Sequence, residues 1–156
     1  MRRTTLPFLL APLLFLAAGT SHGAAEETWL SVTLDGRKIG HMHNTRELRD
    51  ERVISTQAMD VALERAGIAI GMQTSETCEE TPDGRPLGFV SRSRLSGIET
   101  IVEGRLRDDG QLEVTSRVGG ATQTRTLPWP KGALLSEGLR LRALRADPGP
   151  GTQFED

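Results

Sequence analysis

Apolar and polar positions alternate with a period of two over most of this chain. Leu30, Val32 and Leu34 share one side of residues 28–34, and Lys38-Ile39-Gly40 open a second run after Asp35-Gly36. An Asp-Gly pair between two β-type segments is a strong local hairpin signal. The same unit, a short alternating strand and a Gly-bearing turn, recurs downstream. Residues 53–64 place Val53, Ser55, Gln57, Met59, Val61 and Leu63 on one side. A helix over residues 56–66 competes there, since Ala, Met, Leu, Glu and Arg favour helices. Strand is the better reading, because the flanking segments are strand-like and no firm cap pair frames a helix. Ile68, Ile70 and Met72 share a side of residues 68–77, with Gly71 marking a bulge or a close neighbour.

Turn chemistry then comes at nearly every junction. Thr81-Pro82-Asp83-Gly84-Arg85, Ser96-Gly97, Asp108-Asp109-Gly110 and Gly119-Gly120 separate four more alternating runs. In these, Leu87 and Phe89 oppose Arg92 and Arg94. Ile98, Thr100, Val102, Gly104 and Leu106 oppose Glu99, Glu103, Arg105 and Arg107. Leu112, Val114, Ser116 and Val118 oppose Glu113, Thr115 and Arg117. A polar strand over residues 121–127 ends at Pro128-Trp129-Pro130. About eight strands with short connections predict a mainly β fold. It is a curved antiparallel meander or partly open barrel, wet on one side, rather than βαβ units.

At residue 131 the period changes. Leu134, Leu135, Leu139, Leu141 and Leu144 lie among Arg140, Arg142 and Arg145, which predicts one short helix over residues 131–147, weakened by Gly138. Its arginines suit the negative end of the helix dipole, and Asp147-Pro148-Gly149-Pro150-Gly151 stops it. The expectation is that this Leu-rich helix caps one end or the concave face of the sheet and serves as cover for its dry side. Residues 152–156, TQFED, read as the entry to a further strand, so the chain is expected to be a piece of a longer protein.

The first 25 residues do not fit the β rhythm. Arg2-Arg3 precede an apolar run over residues 6–18, and small residues follow through Ala25. That order is the pattern of a secretory signal peptide. Its 13 apolar residues fall short of the ~20 that cross a bilayer. The sequence therefore divides into a signal peptide over 1–25, an antiparallel β domain over 26–130, a helix over 131–147 and a turn over 148–156. It is expected to be secreted across a bacterial inner membrane into the periplasm.

The whole chain carries 19 basic and 21 acidic residues. Cleavage removes only Arg2 and Arg3, leaving 17 − 21 = −4. No basic surplus recommends a nucleic-acid partner. Cys78 is the only cysteine, so no internal disulfide supports the fold.

Few residues carry the marks of chemistry. His41 and His43, two apart on one strand, point to the same face and can begin a metal site. A third ligand would come from Cys78, Glu79 or Glu80, but no spacing signature ties them together. The plain reading is a solvated or hydrogen-bonded pair, with no metal and no cofactor. Cys78 with a histidine base would make a nucleophile. Glu76, Glu79 and Glu80 beside it raise a thiol pKa, the wrong direction for activation. No catalytic residue is assigned. Trp29 and Trp129 bracket the sheet, and each is expected to anchor the core rather than to cap a ligand. Trp29, Phe89, Trp129, Leu135 and Leu139 are the candidates for contact with an apolar ligand or an interface.

The run Trp29-x-x-Val32-x-Leu34-x-Gly36-x-Lys38-Ile39-Gly40 resembles the opening of bacterial secreted proteins that carry a transglutaminase-like domain. Leu127-Pro128-Trp129-Pro130, followed by a Leu-rich segment, is similar to the same region. The resemblance spans residues 29–154 and implies a β-rich N-terminal region serving a downstream Cys-His-Asp domain of papain-like arrangement. Cys78 does not match that nucleophile's context, and no catalytic residue carries over. The implied role is an accessory domain that contacts its own catalytic domain or another secreted protein. A second reading is a periplasmic carrier that holds a lipid or other apolar ligand between sheet and helix. A third is an enzyme using His41, His43 and Cys78.

Overall fold

The computed structural model describes residues 25–65, 67–146 and Gly149. Residues 1–24, where a signal peptide is expected, and residues 150–156, with the reading of a further strand there, lie outside the described residues. Eight strands form one sheet: β1 (Glu26–Leu34), β2 (Arg37–Arg49), β3 (Arg52–Arg65), β4 (Ile68–Glu80), β5 (Pro86–Leu95), β6 (Ile98–Leu106), β7 (Gln111–Val118) and β8 (Ala121–Pro128). Each pairs antiparallel with the next in chain order, and the sheet stays open rather than closing into a barrel. One helix, α1 (Ser136–Ala146), follows.

Hairpins connect the strands because the turns supply the backbone they need. Asp35 and Gly36 both take positive φ, 49° and 75°, as the first two-residue turn requires. Residues 52–65 form a strand, so the helix alternative loses. Val53, Ser55, Gln57, Met59 and Val61 gain cross-strand partners on both sides and Leu63 on one, which helix propensity cannot offset. Gly71 makes no bulge: it pairs with Ala62 in unbroken register and has open space where a side chain would be. The register shifts lie between Val32 and Thr33 and between Glu79 and Glu80.

Directly paired residues in an antiparallel ladder share a face. One face is mostly polar, with Trp29, Ile54, Ala58, Val90 and Ile101 as apolar members. Trp29, His43, Ala58, Ser75, Arg92, Ile101, Arg117 and Thr122 form one row of it. Cross-strand pairs knit it together, including Arg117 to Glu103 at 2.6 Å, Arg94 to Glu99 at 3.2 Å and Gln73 to Asp60 at 2.7 Å. The opposite face collects every apolar set read above, and α1 lies on it, against β3 and β4.

The helix starts at Ser136, later than its leucine spacing suggests, because Lys131 and Gly132 form a turn after Trp129. It covers only one end of the apolar face. The buried apolar residues Val53, Cys78 and Leu112 lie at that end, with Phe89 lying over Gly104. Leu139 is 54 % exposed and Leu144 faces solvent as well. Of the two placements expected, a cap on one end is the one found, and the Leu-rich segment does not cover the whole dry side. The helix is too short to span the face, and its leucines are divided between the sheet and water.

Candidate functional site

The covered end is closed by a polar clamp. Glu80, at the end of β4, is fully buried. Its carboxylate accepts the backbone N–H of Glu137 at 2.5 Å and of Gly138 at 2.9 Å. These are first-turn donors of α1 that have no partner within the helix, and a carboxylate also suits the positive end of the dipole. Glu80 thus caps the helix from the sheet. Glu137, 1 % exposed, points back and takes two forked pairs. Arg46 of β2 donates through Nε and Nη2 at 2.8 and 2.9 Å, and Arg140 does so at 2.8 and 2.7 Å. The Arg140 and Arg46 hydrogen bonds hold the Glu137 carboxyl at about 2, against an ordinary 4.5. Gly138 sits where α1 presses on the β4–β5 turn. A Cβ there would meet the Gly84 carbonyl oxygen at 2.9 Å. The glycine that looked like a weakness in the helix is what lets it dock.

The residues proposed for chemistry do not converge. His41 and His43 stand on the polar face, whereas Cys78 points to the other face, beneath α1. Among the described residues, no three His, Cys, Asp or Glu side chains gather as a metal site would need. Burial pushes the Cys78 thiol up, outweighing hydrogen bonding from Ser136, so it stays protonated and unreactive at neutral pH.

Trp29 is not a core anchor. It is 59 % exposed on the polar face, stacked on His43 with ring centres 3.9 Å apart. Its Nε1–H donates to Glu27 at 2.9 Å, and Glu27 also lies 2.7 Å from His43 Nε2. These contacts, the tryptophan's first, hold the Glu27 carboxyl below its usual range. The strand's alternation sends Trp29 away from Leu30, Val32 and the core. Trp129 is half-buried after β8, donating its indole N–H to the Ala133 carbonyl at 3.2 Å. Phe89 and Leu135 lie half-buried at the covered end, and Leu139 faces water on α1. The five candidate contact residues therefore form no common surface.

The surface that does stand out is the other end of the apolar face. One row crosses six strands as Val32, Gly40, Val61, Met72, Leu95 and Ile98. Beside it run Leu30, Met42 and Met59, and towards the hairpin tips lie Leu34, Leu63, Ile68 and Ile70. Only Val61 is buried, its side chain leaning over Gly40. Ile68 is 66 % and Ile98 64 % exposed. At roughly 32 Å² of sheet per residue on one face, these positions cover roughly 400 Å², the size at which patches on a monomer tend to be functional. A polar row, Thr28, Asn44, Gln57, Glu76 and Ser91, separates it from the helix-covered end.

Sequence reasoning placed Leu30, Val32, Leu34, Met59, Val61, Leu63, Ile68, Ile70, Met72 and Ile98 on the correct side of their strands and gave no side to Gly40, Met42 or Leu95. It missed their meeting because register between neighbouring strands is not written in any one of them. The clamp was missed for the same reason: Glu80 and Glu137 lie 57 residues apart and meet only through the tertiary fold.

No family model, no curated protein and no solved structure matched this chain.

Proposed function

We propose that this protein is an exported, non-catalytic interaction domain that works by presenting the uncovered apolar end of its sheet to a protein partner. The observation that carries this reading is that band, with Leu and Ile side chains exposed and Met side chains half-buried between them, on a face whose other end is closed. Open apolar bands of this size mark contact surfaces. The pattern of residues 1–25 supports export. The resemblance to transglutaminase-like proteins suggests the partner's class, a catalytic domain in the same polypeptide or in a second secreted protein.

The carrier reading gains less support. A carrier needs an enclosed apolar cavity of at least ~300 Å³. The space of about 300 Å³ beside α1 is lined by Thr28, Asn44, Arg46, Gln57, Glu137 and Arg140, which suit water rather than an acyl chain.

The test is a triple variant, Leu30→Gln with Ile70→Gln and Ile98→Gln. A dye that fluoresces on exposed apolar surface should light up with the native protein and lose most of that signal in the variant, while the melting temperature moves by less than about 4 °C. A dark wild type would mean that the face is already covered. Native mass spectrometry should give the mass of the polypeptide alone, and a co-purified lipid would favour the carrier.

A further inference from the structure

We infer that the uncovered band seats one amphipathic helix of the partner, about four turns long. This rests on the reading that the band is an interaction surface and specifies what binds there.

Dimensions make the first argument. The band crosses β1 to β6, roughly 24 Å at ~4.8 Å per strand, and is about two to three side-chain rows deep. A helix of ~16 residues is about 24 Å long and ~10 Å across. It would cover the band and little else. A sheet-on-sheet pair of two copies is a worse match. Stable chain-to-chain interfaces take about 20–30 residues a side, and the band supplies about half of that before the polar row of Asn44, Gln57 and Glu76 interrupts it.

The second argument is continuity. The other end of this same face is already covered by a helix, α1, lying against β3 and β4. A second helix at the same height would complete the layer.

The third is composition. Met42, Met59 and Met72 sit together on β2, β3 and β4, with Met42 paired to Met59. Unbranched thioether side chains mould themselves to the apolar stripe of a helix, and such surfaces recur where helices are bound. The grooves of about 190 to 430 Å³ among the described residues are lined by other residues, so none of these offers a small ligand a seat on the band.

The experiment uses the purified protein labelled with ¹³C-methyl methionine and with ¹⁵N along the backbone. It is titrated with four probes: a ~16-residue peptide with Leu at i, i+3, i+4 and i+7 among Glu and Lys; the same composition scrambled; an extended peptide of alternating Val and Thr; and vesicles of phosphatidylglycerol and phosphatidylethanolamine. The helical peptide should shift the Met42, Met59 and Met72 methyls, and the scrambled one should not. Met59→Glu should weaken binding on the order of tenfold, the loss of one central apolar anchor, and Leu139→Gln on α1 should leave it unchanged.

Preference for the extended peptide, with amide shifts at β1 or β8, would overturn the helix while leaving an interaction domain. Binding to vesicles alone would overturn it in favour of a lipid surface. Methyl shifts that appear on concentrating the protein without peptide would overturn it in favour of a second copy. Methyls that no probe moves, in a protein that is also dark to the apolar dye, would bring down the interaction reading itself.

Discussion

The two ends of the apolar face are built from the same strands with the same alternation, yet one is closed and the other bare. At the closed end, Val53, Cys78 and Leu112 are buried under or beside α1. At the bare end, Leu30, Leu34, Ile68, Leu95 and Ile98 face solvent. The amount of apolar sequence does not separate them. What differs is a directional attachment: Glu80 holds the start of α1, Glu137 holds Arg46, and Gly138 lets the helix approach Gly84. Hydrophobic burial is non-directional, so it does not by itself say where a short helix should sit. The hydrogen-bonded carboxylates do.

Four changes probe this contrast, from the largest expected effect to the smallest. Glu137→Ala should destabilise the protein by about 3 kcal/mol in urea denaturation. It leaves Arg46 and Arg140 without their shared partner and unties α1. Amide exchange should speed up along α1 and not at the bare end.

Acid should act on the same group. The Glu137 carboxyl is held at about 2 from an ordinary 4.5. The folded state therefore gains stability above the unfolded value and loses it as pH falls from about 4.5 towards 2. The loss should be on the order of 2–3 kcal/mol. A Glu137→Ala protein should show a flatter stability profile across that window. An equally steep one would mean that other carboxylates carry the effect.

Gly138→Ala is a sharper case. Alanine normally stabilises a helix by about 1 kcal/mol over glycine. Here its Cβ would stand 2.9 Å from the Gly84 carbonyl oxygen, so the substitution should destabilise by about 1–2 kcal/mol, read as a lower urea midpoint. A gain in stability would show that the helix contact is loose.

At the bare end, Ile98→Thr should change stability by no more than about 0.5 kcal/mol, since the side chain is mostly in water already. A larger loss would indicate that the band is covered in solution.

The strands, most of the turns and the inward side of most strands were legible, because alternation and Gly-bearing turns are local. Leu30, Met59, Ile70 and Ile98 each announced their side within a few residues of sequence. Trp29 was misread because its type suggested a core, whereas its position in the alternation placed it with His43 on the polar face. The helix was legible as a helix, but its useful residues were misidentified. The leucines attracted attention, while the docking belongs to Glu137 and Gly138, whose partners Glu80 and Gly84 are more than fifty residues away.

The sequence by itself determined an antiparallel meander with one wet and one dry face, since a period of two and short turns leave the chain little else to do. Only the tertiary structure decided which part of the dry face is covered. That depends on strand register and on one buried carboxylate meeting a helix end, both long-range facts that no local stretch of residues contains.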